Sequence, residues 1–379
     1  MSPEPRITGL GRTAMSIRPG GTASALAVEA LQAALADAGL TRADVDGLLV
    51  GSSQGVRPDR VGVTLAQHGG LRDLRLLEHV EIKGATTVAM IERARLAIRS
   101  GAARTVVCVF ADAPISSGGG AGSTYAHSGG NSGTRGLERA SGVLGSVPTY
   151  ALLAQRWLTV TGGDPGSLCE VALTARAWAL HNPEAVQRKP LDAEAYYASP
   201  LVSTPLRRLD CARPVNGAAA VVVSSEGDGI RIRGVGREHP VRRRRAGGES
   251  WFGGGRRALD DALGEAGMSR ADLDVLELYD PFSIVTLCLL EEYGFCEPGK
   301  SGPLVSSGAL APGGSLPTNT GGGQLSGFYL QGMTPLVEAV VQLRGEGGGR
   351  QVPGARTALV GGIGGRLDHH ACLILERAA

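Results

Sequence analysis

Apolar residues recur along this chain in two patterns, one with helical spacing and one in short continuous runs. The run Leu48–Val50 is apolar throughout, which is typical of a strand covered on both faces of its sheet. Residues three and four positions apart line one face of a helix, and a glycine often follows the helix end. That spacing occurs just before Gly39, in Leu26, Ala30, Leu31, Ala34, Leu35 and Ala38. Alternating helices and buried strands predict an α/β fold.

The pattern occurs twice, so the chain contains an internal repeat. Residues 31–50 read LQAALADAGLTRADVDGLLV and residues 259–278 read LDDALGEAGMSRADLDVLEL, with ten identities in twenty aligned positions. A second echo follows each copy, where Ala103–Val107 is matched by Ala355–Leu359. We predict two halves, residues 1–225 and 226–379, stacked as a layered α/β/α/β/α body with a site where they meet.

An insertion at about residues 113–204 interrupts the first half. Within it, Pro114–Ser146 is rich in glycine and serine without a usable period, which predicts a loop over or near the site. Tyr150–His181 has a mostly helical pattern. The dipeptide Asn216-Gly217 predicts a turn into the apolar run that follows it. Thr318–Gly332 is a second glycine-rich stretch, leading into a helix.

Composition narrows the class of protein. The 379 residues carry a formal net charge of +2, which gives no global electrostatic argument for nucleic-acid binding. No apolar run approaches the roughly 18–20 residues needed to cross a bilayer, and the N-terminus shows no secretory signal. Six cysteines lie without disulfide or metal-ligand spacing. We therefore expect a cytoplasmic protein without a metal site.

Several motifs occur in an order that resembles the thiolase superfamily. They are the Pro205–Cys211 stretch, Asn216–Ala220, the tetrapeptide at 279–282, and Asn319 followed by Gly322-Gly323. The resemblance covers nearly the whole chain. It implies the duplicated, five-layered thiolase fold, a homodimer, and a CoA thioester bound between the halves as substrate, with no cofactor.

The departures from the family pattern bear on the chemistry. Thiolases carry a nucleophilic cysteine at a helix N-terminus, and Gly84 falls at or beside that position. Their second cysteine is missing from the glycine-rich stretch Gly361–Gly365. Cys108 lies inside an apolar strand, and Cys372 is expected to be a small core residue. Acyl-enzyme chemistry through a thiol is therefore not expected.

Two tyrosines occupy polar positions of the thiolase site. Counted from Asn319, Tyr329 lies at the family's histidine, and Tyr279 lies at its Asn/His position. This substitution is similar to one branch of the superfamily, the aldolases that cleave steroid side-chain CoA esters and are often named lipid-transfer proteins. Residues 319–332 are close to that branch's pattern. The resemblance also implies a separate OB-fold and zinc-ribbon partner chain.

The favoured hypothesis is a carbon–carbon lyase. It cleaves a β-hydroxyacyl-CoA into a ketone or aldehyde and a shorter acyl-CoA such as propionyl-CoA. Tyr329 and Tyr279 would share the proton transfers, without an assigned acid and base. Backbone N–H groups near Gly84, or at Gly362 in the Gly361–Gly365 stretch, would hold the enolate. The alternatives are a non-catalytic acyl-CoA or lipid-binding scaffold and, less favoured, a thiolase-type acyltransferase.

The sequence offers further candidate site residues, and some of them have two interpretations. Asp280 either orients Tyr279 or caps the Pro281 turn, and Asn319 either holds the site loop or forms a turn. Gly322 and Gly323 are expected in turns that approach the thioester. The basic run that includes Arg242 and Arg243 either binds CoA phosphates or lies on a solvated surface. His370 is a candidate site-lining residue, and no third ligand at suitable spacing supports a metal there.

Overall fold

The computed structural model describes residues 4–53, 58–115, 133–240, 253–365 and 368–378. Its strands are β1 Arg6–Arg12, β2 Gly47–Gly51, β3 Leu76–Val80, β4 Thr105–Asp112, β5 Leu201–Ser203, β6 Leu206–Arg207, β7 Gly217–Ser224, β8 Ile230–Glu238, β9 Val275–Leu278, β10 Thr357–Gly364 and β11 His369–Glu376. Its helices are α1 Ala23–Asp37, α2 Pro58–Gly69, α3 Thr86–Arg99, α4 Gly133–Ala140, α5 Val147–Thr161, α6 Gly166–Ala179, α7 Ala193–Ala198, α8 Gly255–Ala266, α9 Ser283–Glu292, α10 Ser301–Ser306 and α11 Met333–Arg344. None of these helices combines the length and apolarity needed to cross a membrane.

The strand order repeats between the two halves. The nine strands of the main sheet lie in the order β3-β2-β4-β7-β1-β8-β11-β10-β9. β1 and β8 join the halves through two antiparallel pairs, Arg6 with Arg231 and Ile7 with Ile230. Outward from this junction, β7-β4-β2 in the first half corresponds to β11-β10-β9 in the second. The predicted boundary at residues 225 and 226 lies between β7 and β8 and stays a prediction.

The repeated sequence forms the same local hydrogen bonds in both halves. The carboxylate of Asp46 accepts the N–H of Thr105 at 2.9 Å, and that of Asp274 accepts the N–H of Thr357 at 3.0 Å. Each aspartate thus fixes the start of the strand beside its own. The identities seen in sequence therefore encode strand placement.

Three apolar clusters separate the layers. α3 and α11 lie in the middle, and their Met90 and Val340 belong to one apolar cluster with Val221 of β7 and Leu373 of β11. α1 and α2 cover the outer face of the first half, while α8 and α9 cover that of the second. This is the five-layered α/β/α/β/α thiolase fold predicted from the sequence.

Three local predictions were wrong. The expected loop at 114–146 contains α4, Gly133–Ala140, while residues 116–132 of that range lie outside the described residues. Asn216 is extended rather than in a turn, because its side-chain oxygen accepts the N–H of Ile115 at 2.8 Å while its backbone pairs with Ser16. The Gly361–Gly365 stretch is not a loop, since β10 continues through Gly364. Glycine is depleted in strands, so the composition of this stretch did not indicate that β10 continues through it.

Candidate active site

The two tyrosines meet at the junction of the halves. Their hydroxyl oxygens lie 3.2 Å apart, and either can donate the hydrogen bond between them. Tyr279 follows β9, and its N–H donates to the carbonyl of Gly361 at 2.9 Å. Tyr329 is held from the other side by a backbone bridge to Pro214. Residues 50 positions apart in the sequence are therefore placed for direct proton exchange.

Gly84 lies against the ring of Tyr279. A Cβ atom at Gly84 would come within 2.6 Å of the Tyr279 ring and 2.3 Å of the Ile363 carbonyl oxygen. Such distances are shorter than van der Waals contact, so no larger residue fits unless its neighbours move. The tyrosine thus fills the space that a side chain at residue 84 would need.

The turn before α3 presents a backbone donor at the same place. Ala85 and Thr86 donate their N–H groups to the carbonyls of Ile82 and Lys83. Among the hydrogen bonds of the described residues, none engages the N–H of Gly84. An N–H group at a helix start is suited to bind an oxyanion.

Gly362 and Gly364 allow the halves to approach at this turn. A Cβ at Gly362 would lie 2.8 Å from the carbonyl oxygen of Gly84, and one at Gly364 would overlap that of Ile82. Gly362 was expected in a loop beside the thioester. It lies instead in β10, packed against the backbone of the first half.

Asn319 fixes the glycine-rich loop to the strand that carries Tyr279. Its side-chain oxygen accepts the N–H of Leu278 at 2.7 Å, and its own N–H donates to Leu276 at 2.8 Å. Its φ of 54° is unusual for a residue other than glycine. The sequence left two roles open for Asn319, holding the site loop or forming a turn. These contacts agree with the first.

Asp280 is tied to the next turn of the same loop. One carboxyl oxygen accepts the N–H of Gln324 at 2.8 Å, at the start of a π-helical turn, Gly323–Gly327. Gly322 and Gly323 have φ values of 90° and 56°, and a Cβ at Gly323 would overlap the Asp280 carboxylate. Asp280 thus anchors this turn, a role that neither of its two sequence-based interpretations included.

Burial changes the protonation of the site. It raises the pKa of Asp280 to about 8, against the lowering effect of hydrogen bonds from Gln324 and Asn319. Burial also raises the pKa of Tyr329 to about 12, where the hydrogen bond from Tyr279 lowers it and the Asp112 carboxylate raises it. At neutral pH, Tyr329 is therefore a neutral phenol.

The raised pKa of Asp280 predicts a pH-dependent stability. The folded chain holds this proton up to about pH 8, whereas an unfolded aspartate loses it near the ordinary pKa of 3.8. The free energy of unfolding should fall as pH rises between these values, with a slope of about 1.4 kcal/mol per pH unit from this group. Asp280→Asn should flatten that slope in urea unfolding at pH 5, 6 and 7. An unchanged slope would contradict the assignment.

The sequence analysis did not identify two further side chains that lie at the site. Asp112 ends β4, lies buried, and accepts a hydrogen bond from Ser53 at 2.6 Å. Tyr150 of α5 stacks on Phe282 with ring centroids 4.3 Å apart, and burial raises the pKa of its phenol. The sequence offered only weak signals, namely a carboxylate after an apolar strand and a tyrosine at the start of a helical pattern.

The remaining candidates lie elsewhere. His370 lies buried in β11, with its ring 6.0 Å from that of Tyr293, which follows α9. Arg242 and Arg243 lie outside the described residues. Burial raises the pKa of Cys372, and that of Cys108, which keeps both thiols protonated at neutral pH.

Comparison with known proteins gives consistent matches. Residues 248–377 match the family model described as thiolase C-terminal domain-like. The chain is 31% identical to 17-hydroxy-3-oxo-4-pregnene-20-carboxyl-CoA lyase of Mycobacterium tuberculosis, covering 91% of this chain and 92% of that one. It is 29% identical to the steroid side-chain-cleaving aldolase of Thermomonospora curvata, covering 89% and 90%. A solved structure, "Ltp2-ChsH2(DUF35) aldolase", superposes with a TM-score of 0.86 and 27% identity, covering 99% and 98%.

Proposed function

The chain belongs to the thiolase superfamily, in its branch of steroid side-chain-cleaving aldolases, and we propose that Tyr279 and Tyr329 perform the proton transfers of its lyase reaction. It is a carbon–carbon lyase of this superfamily. We propose as substrate a β-hydroxyacyl-CoA with a steroid side chain, cleaved to a ketone or aldehyde and a shorter acyl-CoA such as propionyl-CoA. The observation that carries the proposal is the 3.2 Å contact between the two hydroxyls.

A relay through neutral phenols suits this geometry. As the carbon–carbon bond breaks, the β-hydroxyl gives its proton to one tyrosine oxygen, that tyrosine passes its own proton to the second, and the second gives its own proton to the α-carbon. Both phenols are neutral again when the carbonyl product leaves. No phenolate has to form beforehand, which agrees with the raised pKa of Tyr329.

The enolate oxygen needs a separate binding group. We assign this to the N–H of Gly84, which lies at the start of α3 beside the ring of Tyr279. Removing one such donor typically costs about 10²–10³-fold in kcat. Asn319 and Asp280 support the site by holding the loop between the two tyrosines.

Partner and compartment are also proposals. The superposed Ltp2-ChsH2(DUF35) structure pairs an aldolase with a DUF35 protein, and we propose a separate OB-fold and zinc-ribbon partner for this chain. We further propose a homodimer in the cytoplasm that needs no cofactor, since acid–base chemistry suffices for a retro-aldol cleavage.

The test is product release by the complex. The chain is produced with a DUF35 partner and supplied with a steroid β-hydroxyacyl-CoA, and acyl-CoA products are followed by chromatography and mass spectrometry. We expect a shorter acyl-CoA in step with a steroid ketone or aldehyde, and none from the analogue without the β-hydroxyl group. Tight binding of both compounds without turnover would instead favour a scaffold.

A further inference from the structure

A buried pair of carboxyl groups lies behind the loop that supports Tyr279. Glu277 of β9 and Glu338 of α11 both contact the hydroxyl of Thr320, at 2.8 and 3.0 Å. The N–H of Thr320 also donates to Glu277 at 3.1 Å. All three residues are at most 6% exposed. Two carboxyl groups therefore converge on one hydroxyl, away from water.

The charges around the pair do not balance if both carboxyl groups are ionised. Arg350 donates two hydrogen bonds to Glu338, at 2.8 and 3.1 Å, so this carboxylate has its counter-ion. In the described part of the chain, no cation bonds to Glu277. The titratable and charged groups around it are Glu338, Arg350 and Asp280, and the carboxyl group of Asp280 keeps its own proton at neutral pH. A second buried negative charge here would be unpaired, and an unpaired charge in a protein interior is strongly destabilising.

We propose that Glu277 is a positioning residue of the active site that acts as a neutral acid, keeping a proton within its contact to Thr320. Thr320 follows Asn319, whose side chain binds the N–H of Leu278, directly before Tyr279. The proton thus holds the loop against the end of β9 and fixes the Tyr279 ring beside Tyr329. This inference rests on the proposed role of the tyrosines.

The electrostatics agree with the contacts. Burial, and next the charge of Glu338, raise the pKa of Glu277 well above its usual range, against the lowering effect of the Thr320 bonds. Because the folded pKa is raised, the stabilisation is complete at low pH and decreases as pH rises through the raised value. Loss of the proton would leave two carboxylates in contact with the Thr320 hydroxyl. Their mutual repulsion would weaken the hydrogen bonds that hold the loop against β9.

The experiment compares Glu277→Gln with Glu277→Ala in the complex with the partner. Gln keeps a neutral group of the same size, so we expect kcat within about threefold of wild type at pH 7. Its activity should also persist to higher pH than that of the wild type. Ala should lower kcat at least tenfold with little change in KM. Thr320→Ser should retain the activity that Thr320→Val loses.

Three outcomes would overturn the proposal: a folded but inactive Glu277→Gln, a fully active Glu277→Ala, or a pH profile of Glu277→Gln identical to that of the wild type. Glu291→Gln is the matched control. Glu291 is buried too, but it binds Trp157 and Ser301 in the outer layer, so its loss should leave the pH profile unchanged.

A second measurement does not depend on turnover. Hydrogen exchange followed by mass spectrometry should show faster exchange in residues 318–323 for Glu277→Ala at pH 7 than for wild type. Glu277→Gln should match the wild type. If the chain lacked aldolase activity, this difference would remain; if the proton had no positioning role, it would vanish.

Discussion

Tyr329→Phe is expected to lower kcat at least tenfold while the chain still folds, and Tyr279→Phe is expected to do the same. Each change removes one oxygen of the 3.2 Å contact and keeps the ring that fills the site. General acid–base groups typically contribute about 10²–10⁴-fold, whereas one lost hydrogen bond costs only about 0.5–1.5 kcal/mol of stability. Single-turnover kinetics with the proposed β-hydroxyacyl-CoA, together with thermal unfolding, separates these two effects.

The double variant tests whether the phenols work in one relay. If protons pass through both oxygens, removing the second should cost little once the first is gone, because residues that act as a unit are not additive. Tyr197→Phe is the matched control, since Tyr197 is 49% exposed and contacts Tyr196 and Arg207. Near-wild-type rates for either site variant, or independent costs that multiply, would contradict the relay.

The repeat made the fold predictable. Helical spacing, apolar runs and the duplicated aspartates report local structure and strand neighbours, and these agree with the five layers observed. The tyrosine pair was accessible because Tyr279 and Tyr329 replace polar residues in motifs with a known order. Only the structure could give the distance between them.

The failures have a common physical origin. The binding partner of Asp280 is Gln324, 44 residues away, and the effect of Asp112 on Tyr329 depends on tertiary placement. Gly362 was expected in a loop because glycine is depleted in strands, yet here it is required where two backbones pack together. Contacts between residues that are far apart in the sequence leave no local signal in it.

The second large effect is expected at Gly84. Gly84→Ala should lower kcat at least a hundredfold and destabilise the fold by about 1–3 kcal/mol, the usual cost of overpacking. The new methyl group would overlap the Tyr279 ring and the Ile363 carbonyl oxygen. Moving the ring breaks its contact with Tyr329, and shifting the turn displaces the N–H that we assign to the enolate. Urea unfolding and single-turnover rates measure the two effects.

The control and the partial rescue follow from the same geometry. Gly264 lies exposed in α8 with nothing within 4 Å of a Cβ, so Gly264→Ala should stabilise the helix by about 0.5–1 kcal/mol and leave activity unchanged. Removing the ring with Tyr279→Asn should reduce the stability cost of Gly84→Ala but restore no aldolase activity, because one overlap disappears while the phenol is lost. If Gly84→Ala instead turned over at the wild-type rate, the glycine at or beside the superfamily's cysteine position would not hold the reaction geometry. The proposed coupling between Gly84 and Tyr279 would then be wrong.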